Sequence, residues 1–578
     1  MQPNKDNKKQ SELSFLSQEK NSNALNEVIG HFKIRESFSG LDVLKRCGLS
    51  ISTGLLIMLV LPFYGIKSLG KIFRGDFAND ADLQSKKDSF YAIKNNERIS
   101  WRLLVLLLCK RFMSLTVKHN LTKEGAKAFI LDDSTENKRG EKIEGVGMVH
   151  DHTSKSMVLG FKILVLGYWD GGSFIPLDFS LHREKGKELS KANDKLKRAE
   201  VKLANKQQHK KELQQQLKQK MVTLEQAQNS YDLKGGGKTR AKKLAAAQTA
   251  VSKAKKRLLV VNKELLKQQK EFKTAQKEFK ETGKRKVYFG LSKKTHKEQY
   301  NKIRTSNTNG YKRKQELDYS KIDNGIKMLK RAKKKGFKAD YVLTDSWFFC
   351  KDLLQCVVDM GREINLVSMA KIGNIKYHEV MSGKSYYPAE YITKHARKVK
   401  YCRKLKIHYF KVAATYNGVR INLFFTQMGK TAKWRLLVTT DLSLSFIKLM
   451  KIYQIRWSVE IFFKDSKQYL GLGKCQSNDF DAQIADTSLI FIRYMMLSFY
   501  KRVHYQHSIG GIFEQWSKDM IEATLAEKLW QILIDLLMEF AQIAGIDIST
   551  FFKEVIRKDN VMEKIQRIPD IFENAQRA

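Results

Sequence analysis

Tyr453, Arg456, Glu460 and Lys467 fall in the run Tyr-Gln-Ile-Arg-Trp-Ser-Val-Glu-Ile-Phe-Phe-Lys-Asp-Ser-Lys. At about 100° per residue, a continuous helix gathers them within roughly 60° of one another and turns Ile455, Val459 and Phe462 to the opposite side. Such a helix buries an apolar stripe and presents a ring, two cations and a carboxylate together. A phosphodiester-cutting site needs that set: a carboxylate for metal, cations for phosphates, and a ring that stacks on a base. An amphipathic helix with an arbitrary polar face accounts for the segment equally well, so other acids must carry the distinction.

Two other segments supply them. Ala128-Phe-Ile-Leu131 reads as a strand that ends in Asp132-Asp133, and Asp340-Tyr-Val-Leu-Thr344 as a short buried strand that ends at Asp345. Asp133 and Asp345 at strand ends, facing Glu460 on a helix, can hold two Mg²⁺ or Mn²⁺ ions roughly 4 Å apart, one activating the attacking hydroxyl and the other stabilising the leaving oxygen. Zinc would call for His or Cys ligands. His150-Asp151-His152 is a weaker metal candidate, read as structural or DNA-contacting; Asp441 reads as a cap or turn, and Trp347 and Trp434 as core before DNA wedges.

The elements that must position these acids follow from pattern. Lys142 to Val149 and Met157 to Leu166 are strand candidates, Ile322 to Lys335 an amphipathic helix, and Ile364 to Met369 a strand. Leu405 to Ala414 and Val419 to Gln427 form a hairpin about Asn417-Gly418, and Arg435 to Thr440 is a strand. Residues 186–286 differ in texture. Apolar residues recur in alternating three- and four-residue steps from Leu189 to Tyr231 and again from Leu244 to Phe279, with Gly235-Gly236-Gly237 between. That is an antiparallel coiled-coil hairpin, each arm about 65 to 70 Å long. It carries 29 Lys/Arg against 10 Asp/Glu.

The domain expectations are a disordered tail (1–30), a helical DNA-binding domain (31–120), a catalytic core (121–185 and 287–480) interrupted by the hairpin (186–286), a β-rich insertion (348–430), and a helical C-terminal region (481–578). Over 578 residues the chain carries +47, which points to a polyanion, nucleic acid before membrane. Six scattered cysteines without CxxC spacing read as free thiols in a reducing cytosol, and a DNA partner would place the chain at the nucleoid. No signal peptide is expected, and the uncharged run Cys47 to Ile66 reads as a buried core helix in preference to a membrane span.

The spacing Tyr-x2-Arg-x3-Glu-x6-Lys, after a strand ending Thr439-Thr440-Asp441, resembles the Tyr-Arg-Glu-Lys group of DDE transposases, insertion-sequence family four. Leu131-Asp-Asp-Ser-Thr135 resembles that family's first-acid segment and favours Asp133 over Asp132; Val342-Leu-Thr-Asp345 resembles its second. The resemblance covers about residues 85 to 500. It implies an α/β fold with a ribonuclease H-like core, with the β-rich piece inserted between the second Asp and the Glu. It also implies Asp133, Asp345 and Glu460 as catalytic metal ligands, and Tyr453, Arg456 and Lys467 as DNA contacts. Cut-and-paste transposition on double-stranded DNA is the activity it implies, terminal inverted repeats and target alike, by a homodimer in the synaptic complex. The family route would also let the first freed 3′ hydroxyl attack the opposite strand to form a DNA hairpin. The coiled-coil hairpin between the two aspartates departs from the pattern and puts a simple transfer of dimer geometry in doubt. A nuclease on the same core that cuts without strand transfer, and a non-catalytic DNA-binding coiled-coil protein, remain open.

Overall fold

The computed structural model describes residues 24–522, apart from 46, 67–68, 74–86, 185–186, 234, 285–287, 430–431 and 505–507, together with residues 536 and 540. Most of the expected N-terminal tail and most of the C-terminal region therefore lie outside the described residues. The expected tail ends early, because Ala24–Phe32 is already a helix that buries Leu25, Val28, Ile29 and Phe32.

The molecule is a mixed α/β structure built on one mixed sheet. Its strands, in chain order, are β1 (Ala128–Asn137), β2 (Gly147–Asp151), β3 (Ser156–Trp169), β4 (Phe174–His182), β5 (Tyr341–Thr344), β6 (Asn365–Ala370), β7 (Tyr377–Glu379), β8 (Ser385–Tyr386), β9 (Lys400–Cys402), β10 (Ile407–Tyr416), β11 (Val419–Gln427) and β12 (Arg435–Thr439). Strand order is β2-β3-β1-β5-β6-β12-β11-β10-β7-β8, with β4 paired to β3 and β9 to β10. β1 runs antiparallel to β3 and parallel to β5, and β5 parallel to β6. The near-continuous apolar runs of β1 and β5 are what a strand covered on both faces requires, and Phe129, Ile130, Leu131, Val342 and Leu343 are buried.

Sequence reading missed β4, whose Phe-Ile-Pro-Leu-Asp-Phe-Ser-Leu-His is buried at every position. Pro176 and Asp178 hide it as a strand. Asp178 is tolerated there because Arg102 and Arg331 donate to its carboxylate at 2.8 Å, which keeps its acid group below the ordinary carboxylate range despite burial.

The turn between β10 and β11 has Asn417 at φ 52° and Gly418 at φ 78°, the left-handed pair a two-residue hairpin turn demands. The helix Ile51–Val60 is ten residues long and almost wholly buried, so the uncharged run around it is core. Among the described residues no helix is long and apolar enough to cross a membrane.

Two helices of 47 residues each, Lys187–Leu233 and Lys238–Lys284, are joined at the glycine triplet. They pack antiparallel, as the Lys195–Glu278 and Lys206–Glu264 ion pairs, each 2.5 Å, establish. The inward positions follow the sequence period: Val251, Ala254, Val261, Leu265 and Ala275 are buried while their neighbours face solvent.

Helices before β1 and after β12 share one apolar core. Phe499, on the Phe480–Val503 helix, meets Phe32 and Phe112 edge-on. Buried Arg493 of the same helix donates to the carbonyls of Met58 and Leu59.

Candidate active site

β1 does not stop at the acids. Its pairing with β5 ends at Leu131↔Thr344, but its pairing with β3 continues to Asn137↔Gly160. Asp132 and Asp133 therefore sit mid-strand, just past the point where β5 ends, and their side chains leave on opposite faces. Asp345 follows β5 directly, and its Oδ1 accepts from the backbone N–H of Trp347 at 2.9 Å.

The expected single helix from Tyr453 to Lys467 is three pieces: Phe446–Gln454, Trp457–Asp465 and a π-helical turn, Ser466–Leu470. The apolar side holds as expected, with Val459 and Phe462 fully buried. Phe462 packs against Phe174, Phe491 and Tyr494. That packing fixes Glu460 and Arg456 toward the sheet.

Arg456 joins the acids. Its Nη1 donates to Asp132 Oδ2 at 2.8 Å and its Nη2 to Glu460 Oε1 at 2.5 Å. Its buried Nε–H has no hydrogen-bond acceptor among the described residues. Tyr453 lies beside it, with the guanidinium carbon 5.7 Å from the ring centroid. Burial pushes the Tyr453 phenol up to about 12. Lys467, in the π turn, donates to Ser134 Oγ at 2.8 Å, on the Asp132 side of β1.

Asp133 leaves the other face of β1, yet it still reaches the cavity that Asp132 lines. It pairs with Lys321 Nζ at 3.1 Å, and that ammonium lies 3.9 Å from the centre of the Trp347 ring. The field of Asp133 is felt by Lys162 and His182, while Asp132 feels Arg456 and Asp345. Burial, reinforced by Asp345 and Asp133 and only partly opposed by Arg456, pushes the Asp132 carboxyl up to about 7.

Asp132, Asp133, Ser134, Asp345, Arg456, Glu460 and Phe463 line an open pocket of about 350 Å³. The structure thus brings the expected acids and Arg456 to one cavity, with Tyr453 and Lys467 at its margins. Sequence reading missed Lys321, whose only signal is its place in the first turn of an amphipathic helix.

The donor chemistry of this lining fits a hard divalent ion: four carboxylates, no thiolate and no imidazole. In this arrangement the guanidinium of Arg456 stands between two of them. Among the described residues no three of His, Cys, Asp or Glu converge closely enough to hold an ion; that includes His150-Asp151-His152, whose two imidazoles meet edge to face at 4.9 Å. Asp441 makes a turn, accepting from Ser443 N–H at 3.0 Å, and Trp434 packs on Phe410.

Comparison with known proteins places the chain. The family model described as a transposase DDE domain matches residues 205–496, just over half of the sequence. The chain belongs to that family of transposases. The matched span holds Asp345, Tyr453, Arg456, Glu460 and Lys467, begins inside the first long helix, and leaves Asp132 and Asp133 upstream. A solved structure, a piggyBac transposase synaptic complex with hairpin DNA, is similar over 90% of this chain and 81% of that one, at 11% identity and a TM-score of 0.36. No curated protein matches the sequence.

Proposed function

We propose that the chain is a cut-and-paste DNA transposase of insertion-sequence family four, with Asp132, Asp345 and Glu460 as its three acids on a ribonuclease H-like core. The observation that carries this reading is the single pocket into which β1, β5 and the Trp457–Asp465 helix deliver those carboxylates with Arg456. Sheet order supports the core assignment: β4-β3-β1-β5-β6, three antiparallel strands followed by two parallel ones. Asp132 is preferred to Asp133 because it shares a face with Arg456 and lies in the field of Asp345, whereas Asp133 is held by Lys321.

In this reading Asp132, Asp345 and Glu460 would hold two Mg²⁺ or Mn²⁺ ions, which would supply activation of water and neutralisation of the leaving oxygen. Arg456, bonded to both Asp132 and Glu460, bridges the two acids and brings a guanidinium charge to the pocket where a phosphate would bind. Lys467 and Lys321 flank the acids on the two faces of β1 and balance the backbone charge of the strand being cut. Tyr453 braces Arg456 beside that strand. Hydrolysis at the element's end frees a 3′ hydroxyl, which attacks target DNA in a second in-line displacement; double-stranded DNA is the partner, and a homodimer pairs the two ends.

The test uses duplexes carrying the inverted repeats that flank the gene. Wild-type protein should nick and then join them only with Mg²⁺ or Mn²⁺, and chelation should stop both without releasing the DNA. Glu460→Gln should bind but lose cleavage on the order of 10³-fold or more. Normal cutting and joining by that variant would sink the assignment, and nicking without joining would favour the nuclease reading.

A further inference from the structure

The strand rows that carry the acids continue across the sheet to a basic edge that the chemistry above does not use. Thr344, just before Asp345, is level with Ser368 of β6, Val438 of β12, Leu423 of β11 and Val412 of β10. Because β6 runs parallel to β5 and the next three strands alternate, the end of β6, the start of β12, the end of β11 and the start of β10 all lie on the edge where Asp345 stands. β9 pairs with that starting end of β10, Lys400 opposite Tyr409 and Cys402 opposite Ile407.

The segment that leaves β6 and returns to β10, residues 371–406, holds ten Lys/Arg and two acids. Both acids are engaged within it. Glu379 is buried and bonded to Lys394 and His395, and Glu390 accepts from the backbone N–H of Tyr387 at 2.6 Å. Lys398, Lys400, Arg403 and Lys404 are exposed, and among the described residues no acid pairs with them. Tyr401 stands among them, 52% exposed, its ring 4.8 Å from that of His408. Unpaired cations beside an exposed aromatic ring, on β9 and the turns that flank it, make a surface complementary to a phosphate backbone.

We propose that the β9–β10 edge is a docking surface for the DNA duplex flanking the cut. From β5 to β9 the sheet takes five strand steps, roughly 24 Å at about 4.8 Å each. A duplex rising about 3.4 Å per base pair reaches the surface about seven base pairs from the scissile phosphate. The location rests on reading the acid pocket as the cutting centre; the affinity for duplex does not.

The experiment compares wild type with the Lys398→Gln/Lys400→Gln/Arg403→Gln/Lys404→Gln variant of the full chain, binding a 30-base-pair duplex of arbitrary sequence over a salt series. Each lost phosphate contact should lower the slope of log K against log salt by about 0.9, so about 3 to 4 in all. On a duplex carrying the cleaved end, hydroxyl-radical protection centred about seven base pairs from the cut should vanish with the variant. Should the quadruple variant misfold, Arg403→Gln/Lys404→Gln, in the β9–β10 turn, should lower the slope by about 1 to 2. Glu460→Gln should keep the wild-type slope, so loss of cutting and loss of docking read separately. An unchanged slope, protection retained in the variant, or binding of phosphatidylserine vesicles in place of duplex would overturn the proposal.

Discussion

At residue scale the choice between adjacent aspartates is the sharpest question. Asp132 and Asp133 differ by one position, hence by one face of β1, and sequence alone does not say which face the Trp457–Asp465 helix covers. The ion pairs do: Asp132 meets Arg456 and Asp133 meets Lys321. Asp132→Asn should therefore abolish metal-dependent cleavage, while Asp133→Asn should lower it by tenfold or less; single-turnover rates on the same duplex check this, and equal losses would return Asp133 to the ligand set. His182 gives a prediction outside the pocket. It is buried, its Nε2 is 2.7 Å from Ser180 Oγ and its Nδ1 is 3.2 Å from the Tyr319 carbonyl, and burial with the nearby Lys321 charge holds its imidazole down at about 4. The unfolded chain binds that proton near 6.5, so between about 4 and 6.5 the unfolded state holds more protons and stability rises with pH. About 3 kcal/mol is present above pH 6.5 and lost as pH falls toward 4. Denaturant titrations across that window should show His182→Gln with a flatter profile.

At the scale of elements, what was legible was periodicity. The three-and-four stepping of the long helices and the Asn417-Gly418 turn are local and could be read directly. The π turn at Ser466–Leu470 could not, because it answers to packing against the Phe480–Val503 helix and leaves no compositional mark; nor could the break after Gln454. β4 was hidden for a related reason: its buried Asp178 makes sense only once Arg102, from residues far upstream, is in place. The Trp457–Asp465 helix is held by Phe462, so Phe462→Ala should cost about 3 to 5 kcal/mol and loosen Glu460 and Arg456 together. Denaturant midpoints and cleavage rates should fall in parallel, with Phe462→Leu restoring most of both.

For the whole molecule, the expected helical domain at 31–120 does not stand apart from the helices beyond β12. Phe32, Phe112 and Phe499 pack together, and Arg493 is satisfied by carbonyls more than 400 residues away in sequence. The described residues should accordingly unfold in one cooperative transition by calorimetry. Arg493→Leu, which leaves two buried carbonyls without donors, should lower its midpoint by about 2 to 4 kcal/mol equivalent. Two separate transitions, with the first insensitive to Arg493, would show an independent N-terminal domain.

The long antiparallel pair between β4 and β5 also bears on how the chain folds. β1 must find β5 across some 200 residues, about half of them in that insertion, and a flexible loop of such length delays pairing through its closure entropy. Two helices that zip on each other return the chain to within one helix diameter of where it left, so the insertion closes as a short turn does. By the logarithmic loop law, taking about half of those residues out of the loop saves about 0.6 kcal/mol, available before any strand has paired. Replacing residues 187–284 with a Gly/Ser linker of equal length should slow refolding, whereas a short turn in their place should not.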